Sequence, residues 1–552
     1  MTALRPVGLS VLVARAFEEL DRCDSIFDLP RRRFVLEPEH EVLVHGRAAG
    51  APLGPAAGPH TQLAQNIVSA WLGGGRVMEL KTVQVLDRIA VARPCIDART
   101  VGYNVEWSQE LTLDESRVEY VKASMLIDIL AHGFRVAPAV LFDLSVGYDY
   151  AGITNERVVN FVKQMIDARS TIDALRDELP RQFRDFDFTT DIARSVTLST
   201  FHGCPPQEIE RIADFLMTEL GLDVAIKLNP TLLGERAVDE ILHDRLGYTD
   251  INVPKTAFGH DPDFEDIARI AQRAKDLGRS FAVKLTNTLV VENRRGILPG
   301  DVAYLSGPPL HVLAMHLVQR FRRAFGQDLD LSFSAGIDRI NYPDAVSLGL
   351  KPVTVCTDLL KPGGYARLHA YASELTKRMN GMAMAEFATA DIDDYIAQLE
   401  RNSRYHRDVV ERPPRKTGVP LEVFDCATCD LCIPACPNDA NFRVPLALRK
   451  PHQIVTFEDL CNDCGNCEAF CPDLGAPNRI KVRVRAGSEG PAAVRAAIHD
   501  PAHVNFLNAL ELERGQSAGR GAQVVVLPKH VQSREHHLSP APCALPPELE
   551  NA

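Results

Sequence analysis

Along roughly the first 400 residues, short β-branched runs alternate with stretches in which apolar residues recur every three or four positions. That alternation predicts parallel strands joined by crossover helices. The helical half is plainest between Pro206 and Gly221, where Ile209, Ile212, Leu216 and Leu220 share one face, with Pro near the start and Gly at the end. A second segment follows the same plan, with Ile267, Ile270, Ala274 and Leu277 stopping at Gly278. Strand candidates fall at 53–56, 76–84, 140–146, 195–201, 224–229, 281–287, 331–335 and 353–357. Eight such strands predict an α/β fold of the (β/α)8 TIM-barrel type, with its active site at the C-terminal ends of the strands. A doubly wound open sheet is the alternative topology.

The pattern breaks at residues 410–422, VERPPRKTGVPLE, where Pro413, Pro414, Gly418 and Pro420 mark a boundary. The expected organisation is an N-terminal extension over 1–45, the barrel over 46–410, a small unit over 411–482, and an appendage with a loose tail over 483–552. The 552 residues are 45% hydrophobic and 24% charged, the composition of a soluble globular enzyme. A net charge of −12 without a long basic stripe excludes a broad nucleic-acid surface. No apolar run approaches the roughly 20 residues of a membrane helix. The N-terminal apolar stretch runs into acidic residues without a small-residue cleavage site, so the expectation is a mature cytoplasmic protein.

Candidate chemistry changes this picture most in the small unit. Of 13 cysteines, eight lie between positions 426 and 471, a crowding that suits metal ligation in a reducing compartment better than disulfides. They form two runs, Cys426-x2-Cys429-x2-Cys432-x3-Cys436-Pro437 and Cys461-x2-Cys464-x2-Cys467-x3-Cys471-Pro472. Each iron of a [4Fe–4S] cubane takes one thiolate, and in bacterial two-cluster ferredoxins the fourth cysteine of each run ligates the other cluster. The expected sets are therefore Cys426, Cys429, Cys432 and Cys471 for one cluster, and Cys461, Cys464, Cys467 and Cys436 for the other. Zinc sites are the alternative, but they are usually built from two separate CxxC pairs. Cys23, Cys95, Cys356 and Cys543 are read as non-ligands. Two adjacent clusters make a single-electron wire, so the choice of substrate falls to the barrel.

The predicted strand ends carry Glu79-Leu80-Lys81-Thr82, Asn104-Val105-Glu106, Phe201-His202-Gly203-Cys204-Pro205-Pro206 and Ile226-Lys227-Leu228-Asn229-Pro230. Further on come Lys284-Leu285-Thr286-Asn287-Thr288, Ser334-Ala335-Gly336-Ile337-Asp338 and Val355-Cys356-Thr357. Lys227 with Asn229, and Lys284 with Thr286, share a side of a period-two strand, so each pair can point into the same pocket. This array resembles the flavin barrel of the dihydropyrimidine dehydrogenase and dihydroorotate dehydrogenase superfamily, and a barrel followed by paired clusters resembles the C-terminal half of dihydropyrimidine dehydrogenase. The resemblance covers roughly residues 50–480. More narrowly, the segments 199–206 and 229–234 resemble the selenate reductase subunit family, although nothing in the residues forms a site specific for selenate.

The resemblance implies a bound FMN. Lys81 and Lys227 would stabilise negative charge on the reduced ring; Ala56, Ala57 and Gly58 would let the backbone approach it; Gly336 and Thr357 would hold the phosphate. It implies further that Asn104 with Glu106, and Asn287 with Thr288, contact a planar heterocycle, and that Cys204 is the catalytic general acid. The chain departs from the family pattern in Ser199-Thr200, in a shorter cysteine loop, in a single phosphate-loop glycine and in the extra charge of Lys284.

No GxGxxG fingerprint follows a predicted strand, so the electron donor is expected to be an NAD(P)H- and flavin-binding partner subunit or a ferredoxin. The leading expectation is an iron–sulfur oxidoreductase that reduces a small nitrogen heterocycle, a pyrimidine or an oxidised purine. A non-catalytic electron-transfer subunit and a reductase of another small oxidised molecule, such as an oxyanion, are the alternatives. An oligomer is compatible with the sequence.

Overall fold

The structure, a computed structural model, describes residues 4–87, 91–105, 109–199, 205–423, 425–444, 450, 452–485 and 524–526. Eight parallel strands form one sheet: β1 (Leu53–Pro55), β2 (Val77–Glu79), β3 (Leu141–Val146), β4 (Ala193–Ser199), β5 (Asp223–Leu228), β6 (Phe281–Leu285), β7 (Asp330–Phe333) and β8 (Val353–Val355). Their order is β1-β8-β7-β6-β5-β4-β3-β2, so every strand lies beside its sequence neighbour and the sheet curls into a nearly closed TIM barrel. Each crossover carries helix, among them Ala64–Leu72, Leu113–Phe134, Pro206–Thr218, Phe264–Asp276 and Pro308–Phe325.

The two predicted helices form for the expected reasons. Ile209, Ile212 and Leu216 are buried on one face of Pro206–Thr218, and Ile267, Ile270 and Ala274 on one face of Phe264–Asp276. The latter starts at a reciprocal cap, Asp263 accepting from the Asp266 amide while Asp266 accepts from that of Asp263. β2 is shorter than the expected 76–84. Leu80 and Val83 still donate to the carbonyls of Asp143 and Ser145 on β3, but between them the Lys81 amide turns away to Thr61 O at 3.2 Å, interrupting the ladder.

The last seam, between β1 and β2, is closed by Arg76. Its amide donates to Leu53 O at 2.7 Å and its carbonyl accepts from Leu141 at 2.8 Å. The two strands approach so closely that a Cβ at Gly54 would lie 1.6 Å from Val77 O, which only glycine avoids. A hairpin, Val42–Val44 with Arg47–Ala49, packs Val42, Val44 and Ala49 on Val77 and covers the N-terminal end of the barrel.

At the opposite end, insertions after β2 and β6 meet in an antiparallel sheet of Leu289–Glu292, Val302–Leu305, Tyr103–Asn104 and Ile96–Asp97. Beyond the barrel, Asn441–Val444 pairs antiparallel with Gln453–Phe457, which pairs in parallel with Val482–Arg485, and that in turn with Val524–Val526. Phe442, Phe457, Cys461 and Cys464 belong to the same buried apolar cluster as the barrel core. Among the described residues no helix is long and apolar enough to cross a membrane.

Gly54→Ala is therefore expected to force β1 and β2 apart and to destabilise the protein by about 3 kcal/mol or more, since neither backbone can retreat. Urea denaturation checks this, and an unchanged midpoint contradicts the closure described.

Candidate active site at the barrel mouth

A cavity of about 540 Å3 opens at the C-terminal ends of the strands. Its floor and walls come from Ala56–Pro59 after β1, Lys81 and Thr82 after β2, Ser199 of β4, Lys227 of β5, Thr286–Thr288 after β6, Ser334 and Gly336 after β7, and Thr354, Cys356 and Thr357 around β8. The antiparallel sheet adds Ile96, Tyr103, Asn104 and Tyr304 as a roof. Ala56, Ala57, Gly58, Lys81, Asn104, Lys227, Asn287, Thr288, Gly336 and Thr357, singled out in the sequence, thus all line one cavity. Cys204, with His202, and Glu106 lie outside the described residues. Asn229 and Lys284, expected to share that pocket, are not among the residues lining it.

Lys284 is engaged elsewhere. Its ammonium is 1% exposed, ion-paired across the barrel with Glu79, itself 3% exposed, and donates to Thr354 Oγ1 at 3.0 Å. Glu79 also accepts from the Ala57 amide at 3.3 Å. Among the described residues no carboxylate lines the cavity, whereas two lysines do. Burial lowers Lys81 to about 8 against the opposing pull of Cys356, Glu110 and Cys95. Burial, then the neighbouring Lys284, lowers Lys227 to about 8 against Glu79 and Cys356. Burial also raises the Cys356 thiol, opposed by both lysines. His60, buried beside Lys81, is lowered to about 3 and is neutral at physiological pH. The mouth is cationic.

One corner is rich in hydroxyls and backbone. Thr357 Oγ1 donates to Ser306 Oγ at 2.9 Å, and Ser306 Oγ to Gly102 O at 3.2 Å, beside the first turn of the helix Pro308–Phe325. Gly336 has φ +54°, and a Cβ there would lie 2.1 Å from Gly307 O, so two backbone segments meet with no room for a side chain. Hydroxyls, small residues and the start of a long helix suit a phosphate, and a cationic, partly apolar cavity of this size suits a planar ring. The residues present fit FMN.

In the cysteine unit, Cys426, Cys429, Cys432 and Cys471 line one small cavity of about 20 Å3. Burial raises the Cys464 thiol, with Cys95 and then Cys436 adding to the rise, and raises the Cys467 thiol, with Cys436 adding to it. Cys471, the fourth cysteine of its run, thus lines a cavity with the first three of the other. All the described cysteines are free thiols. Among the described residues no three His, Cys, Asp or Glu converge as the ligands of a single ion would. A cubane instead spreads its four thiolates over four irons, and the two sets of four fit that requirement.

This unit sits on the barrel mouth. The Cys464 carbonyl accepts from the amides of both Cys95 and Ile96 at 3.1 Å. Asn466 Nδ2 donates to Leu360 O and Ala435 O at 2.5 Å, Asn66 Nδ2 to Pro437 O at 2.6 Å, and Asn462 Nδ2 to Glu110 Oε2 at 2.8 Å. Arg93 pairs with Glu110 and reaches Cys95 Sγ at 2.6 Å. Since Ile96 and Leu360 also line the large cavity, the cysteine loop and the cavity share a wall. Sequence reasoning missed Glu79, Ser306 and Cys356 as parts of the site. Cys356 carried a signal, its place at the end of the eighth strand, whereas Glu79 and Lys284 are partners only through the closed barrel.

A family model described as "Oxidoreductase YgfK, N-terminal TIM-barrel domain" matches residues 27–407. YgfK of Escherichia coli (strain K12) is 40% identical over 402 residues, 67% of this chain and 39% of that protein. The chain thus spans about two fifths of the length of that curated relative. The ketoisovalerate oxidoreductase subunit VorC of Methanothermobacter marburgensis is 30% identical over 67 residues, 12% of this chain and 81% of that protein. Among solved structures, ligand-free DHODH from Eimeria tenella is 15% identical and matches 73% of this chain and 99% of that chain, with a TM-score of 0.44.

Lys81 and Lys227 hold their protons below about pH 8 and lose them above it. Affinity for FMN, followed by fluorescence quenching, is therefore expected to weaken by about tenfold as pH rises through that value, the effect of about 1.4 kcal/mol of lost attraction. Replacing both lysines, Lys81→Met with Lys227→Met, should flatten the profile. A pH-independent affinity in the unaltered protein contradicts the charge assignment.

Proposed function

Because the chain belongs to the family of the oxidoreductase YgfK N-terminal TIM-barrel domain, we propose that it is an iron–sulfur flavoprotein reductase acting on a small nitrogen heterocycle, a pyrimidine or an oxidised purine. The observation that carries this reading is the shared wall, with one cysteine loop hydrogen-bonded to the segment that lines a cavity whose charged side chains, among the described residues, are two lysines. Two [4Fe–4S] clusters, held by the two crossed cysteine sets, would supply single-electron carriers, and FMN would supply two-electron chemistry on the substrate ring.

The protein's own groups then have distinct tasks. Lys81 and Lys227 offset negative charge at the ring-binding part of the cavity, and burial strengthens that effect by excluding water. The hydroxyls of Ser306 and Thr357 with the backbone at Gly336 take the phosphate. Ala56, Ala57 and Gly58 leave space for a flat ring against the backbone. Cys204 donates the proton that completes reduction of a C=C or C=N bond. Electrons come from a partner, an NAD(P)H- and flavin-binding subunit or a ferredoxin. The setting is the cytoplasm, where free thiols of this number persist.

Anaerobic purification followed by iron and flavin analysis is expected to give about eight irons and about one FMN per chain. Cys464→Ala should lose about half of the iron. Clusters without flavin would replace this reading with an electron-transfer scaffold. Cys204→Ala should cut turnover by about a hundredfold or more while leaving cluster and flavin reduction intact, and unchanged turnover defeats its assignment as the acid.

A further inference from the structure

The two cysteine sets are placed differently. Cys429 is exposed and Cys426 half-buried, and the small cavity they line with Cys432 and Cys471 is walled, among the described residues, by positions 421–481. Cys461, Cys464 and Cys467 are buried, the first two lie in the barrel's apolar core, and Cys436 packs against it. Besides the Cys464 carbonyl bonded to Cys95 and Ile96, Gly465 lies so near Pro94 that a Cβ there would stand 2.7 Å from the Cβ of the proline. The set of Cys461, Cys464, Cys467 and Cys436 is therefore the inner one.

A second contact leaves the inner set at Cys436. The loop after β8 runs against the first cysteine run, where a Cβ at Gly364 would lie 2.4 Å from Pro434 O, and this approach delivers Tyr365. Burial, then the charges of Asp439, Cys436 and Cys356, raise the Tyr365 hydroxyl above its ordinary range, so the phenol is close to both an inner-set thiol and the cavity thiol. Its hydroxyl donates to His60 O at 3.3 Å, and the two rings meet edge-on with centroids 6.2 Å apart. His60 and Cys356 flank Gly58, where a Cβ would lie 2.8 Å from Cys356 Sγ and 3.3 Å from His60 Nδ1. Gly58 and Cys356 line the large cavity. We propose that Tyr365 is a positioning residue that joins the inner cluster to the turn at Ala56–Pro59 holding the ring, and that the inner cluster is the one that delivers electrons there. This rests on the iron–sulfur flavoprotein reading above and adds the order of the clusters and the side chain between the last of them and the ring. Electron tunnelling weakens steeply across empty space and less so through packed or hydrogen-bonded atoms, which an aromatic ring in this interval supplies. Each transfer returns the cluster to its oxidised state and adds one electron to the ring; two in succession, with protons taken up from water at the mouth, complete its reduction. The electrons are those of the partner proposed above.

The test is flash photoreduction of the anaerobically purified protein with a deazaflavin as electron source, following the cluster and flavin absorption bands as injected electrons redistribute between them. Tyr365→Leu is expected to slow redistribution by about tenfold or more, and Tyr365→Phe, which keeps the ring and loses the hydroxyl, by less than about threefold. Iron and FMN content and the final distribution should match the unaltered protein in both, so that a change of rate alone marks a connecting role. Cys464→Ala gives an independent check: the fast redistribution should vanish while the outer cluster still takes up an electron. An unchanged rate in Tyr365→Leu, an equal fall in Tyr365→Phe, loss of iron or FMN from Tyr365→Leu, or fast redistribution in Cys464→Ala overturns the assignment and leaves the flavoprotein reading standing. Absence of any redistribution in the unaltered protein overturns that reading as well.

Discussion

The carbonyl of Cys464 accepts two hydrogen bonds, from Cys95 and Ile96, and the relation of the two halves of the protein hangs on it. A loop carrying three buried thiols cannot satisfy its own peptide groups as a ladder would, and a buried carbonyl must find donors. Here it finds them on the segment that walls the barrel cavity. Asn66, Asn462 and Asn466 repeat the device, each donating a side-chain amide across the same seam. With Phe442, Phe457, Cys461 and Cys464 in the barrel's apolar core, the cysteine unit is held as part of the barrel rather than tethered beside it. Separating them would strand several buried polar groups at once, each worth about 1–3 kcal/mol.

A second constraint lies inside the barrel. The Glu79–Lys284 pair is nearly inaccessible, and a buried pair of this kind contributes little net stability because desolvation offsets its attraction. Its consequence here is electrostatic. Glu79 is neutralised by a lysine that stays off the cavity wall, which leaves Lys81 and Lys227 as the charged groups of the mouth among the described residues. The low polarity that depresses both lysines also strengthens their attraction for an anionic ligand.

Much of the barrel was legible in the sequence because its strands are short apolar runs buried on both faces and set between helical patterns, and all eight expected segments overlap a barrel strand. The end of β2 was not, since the Lys81 amide leaves the ladder for Thr61 O, a partner that only the folded loop supplies. The roof was not legible either. Tyr103–Asn104 and Ile96–Asp97 are two-residue strands, too short for any periodicity, and Tyr103–Asn104 pairs with Val302–Leu305 some 200 positions away. The cysteine runs announced themselves through local spacing, and lysines at strand ends through their positions. The Glu79–Lys284 pair and the contact of Tyr365 with His60 were hidden because each joins residues from different strands or loops, and no local pattern marks such a partner.

The central claim is that one chain holds two single-electron carriers against a two-electron site. An anaerobic reductive titration of the purified protein, followed by visible absorption and electron paramagnetic resonance, tests it most directly. The account predicts about four electrons taken up per chain, one at each cluster and two at the flavin, with a signal of two magnetically interacting clusters. Uptake of about two electrons without bleaching of a flavin band would contradict it.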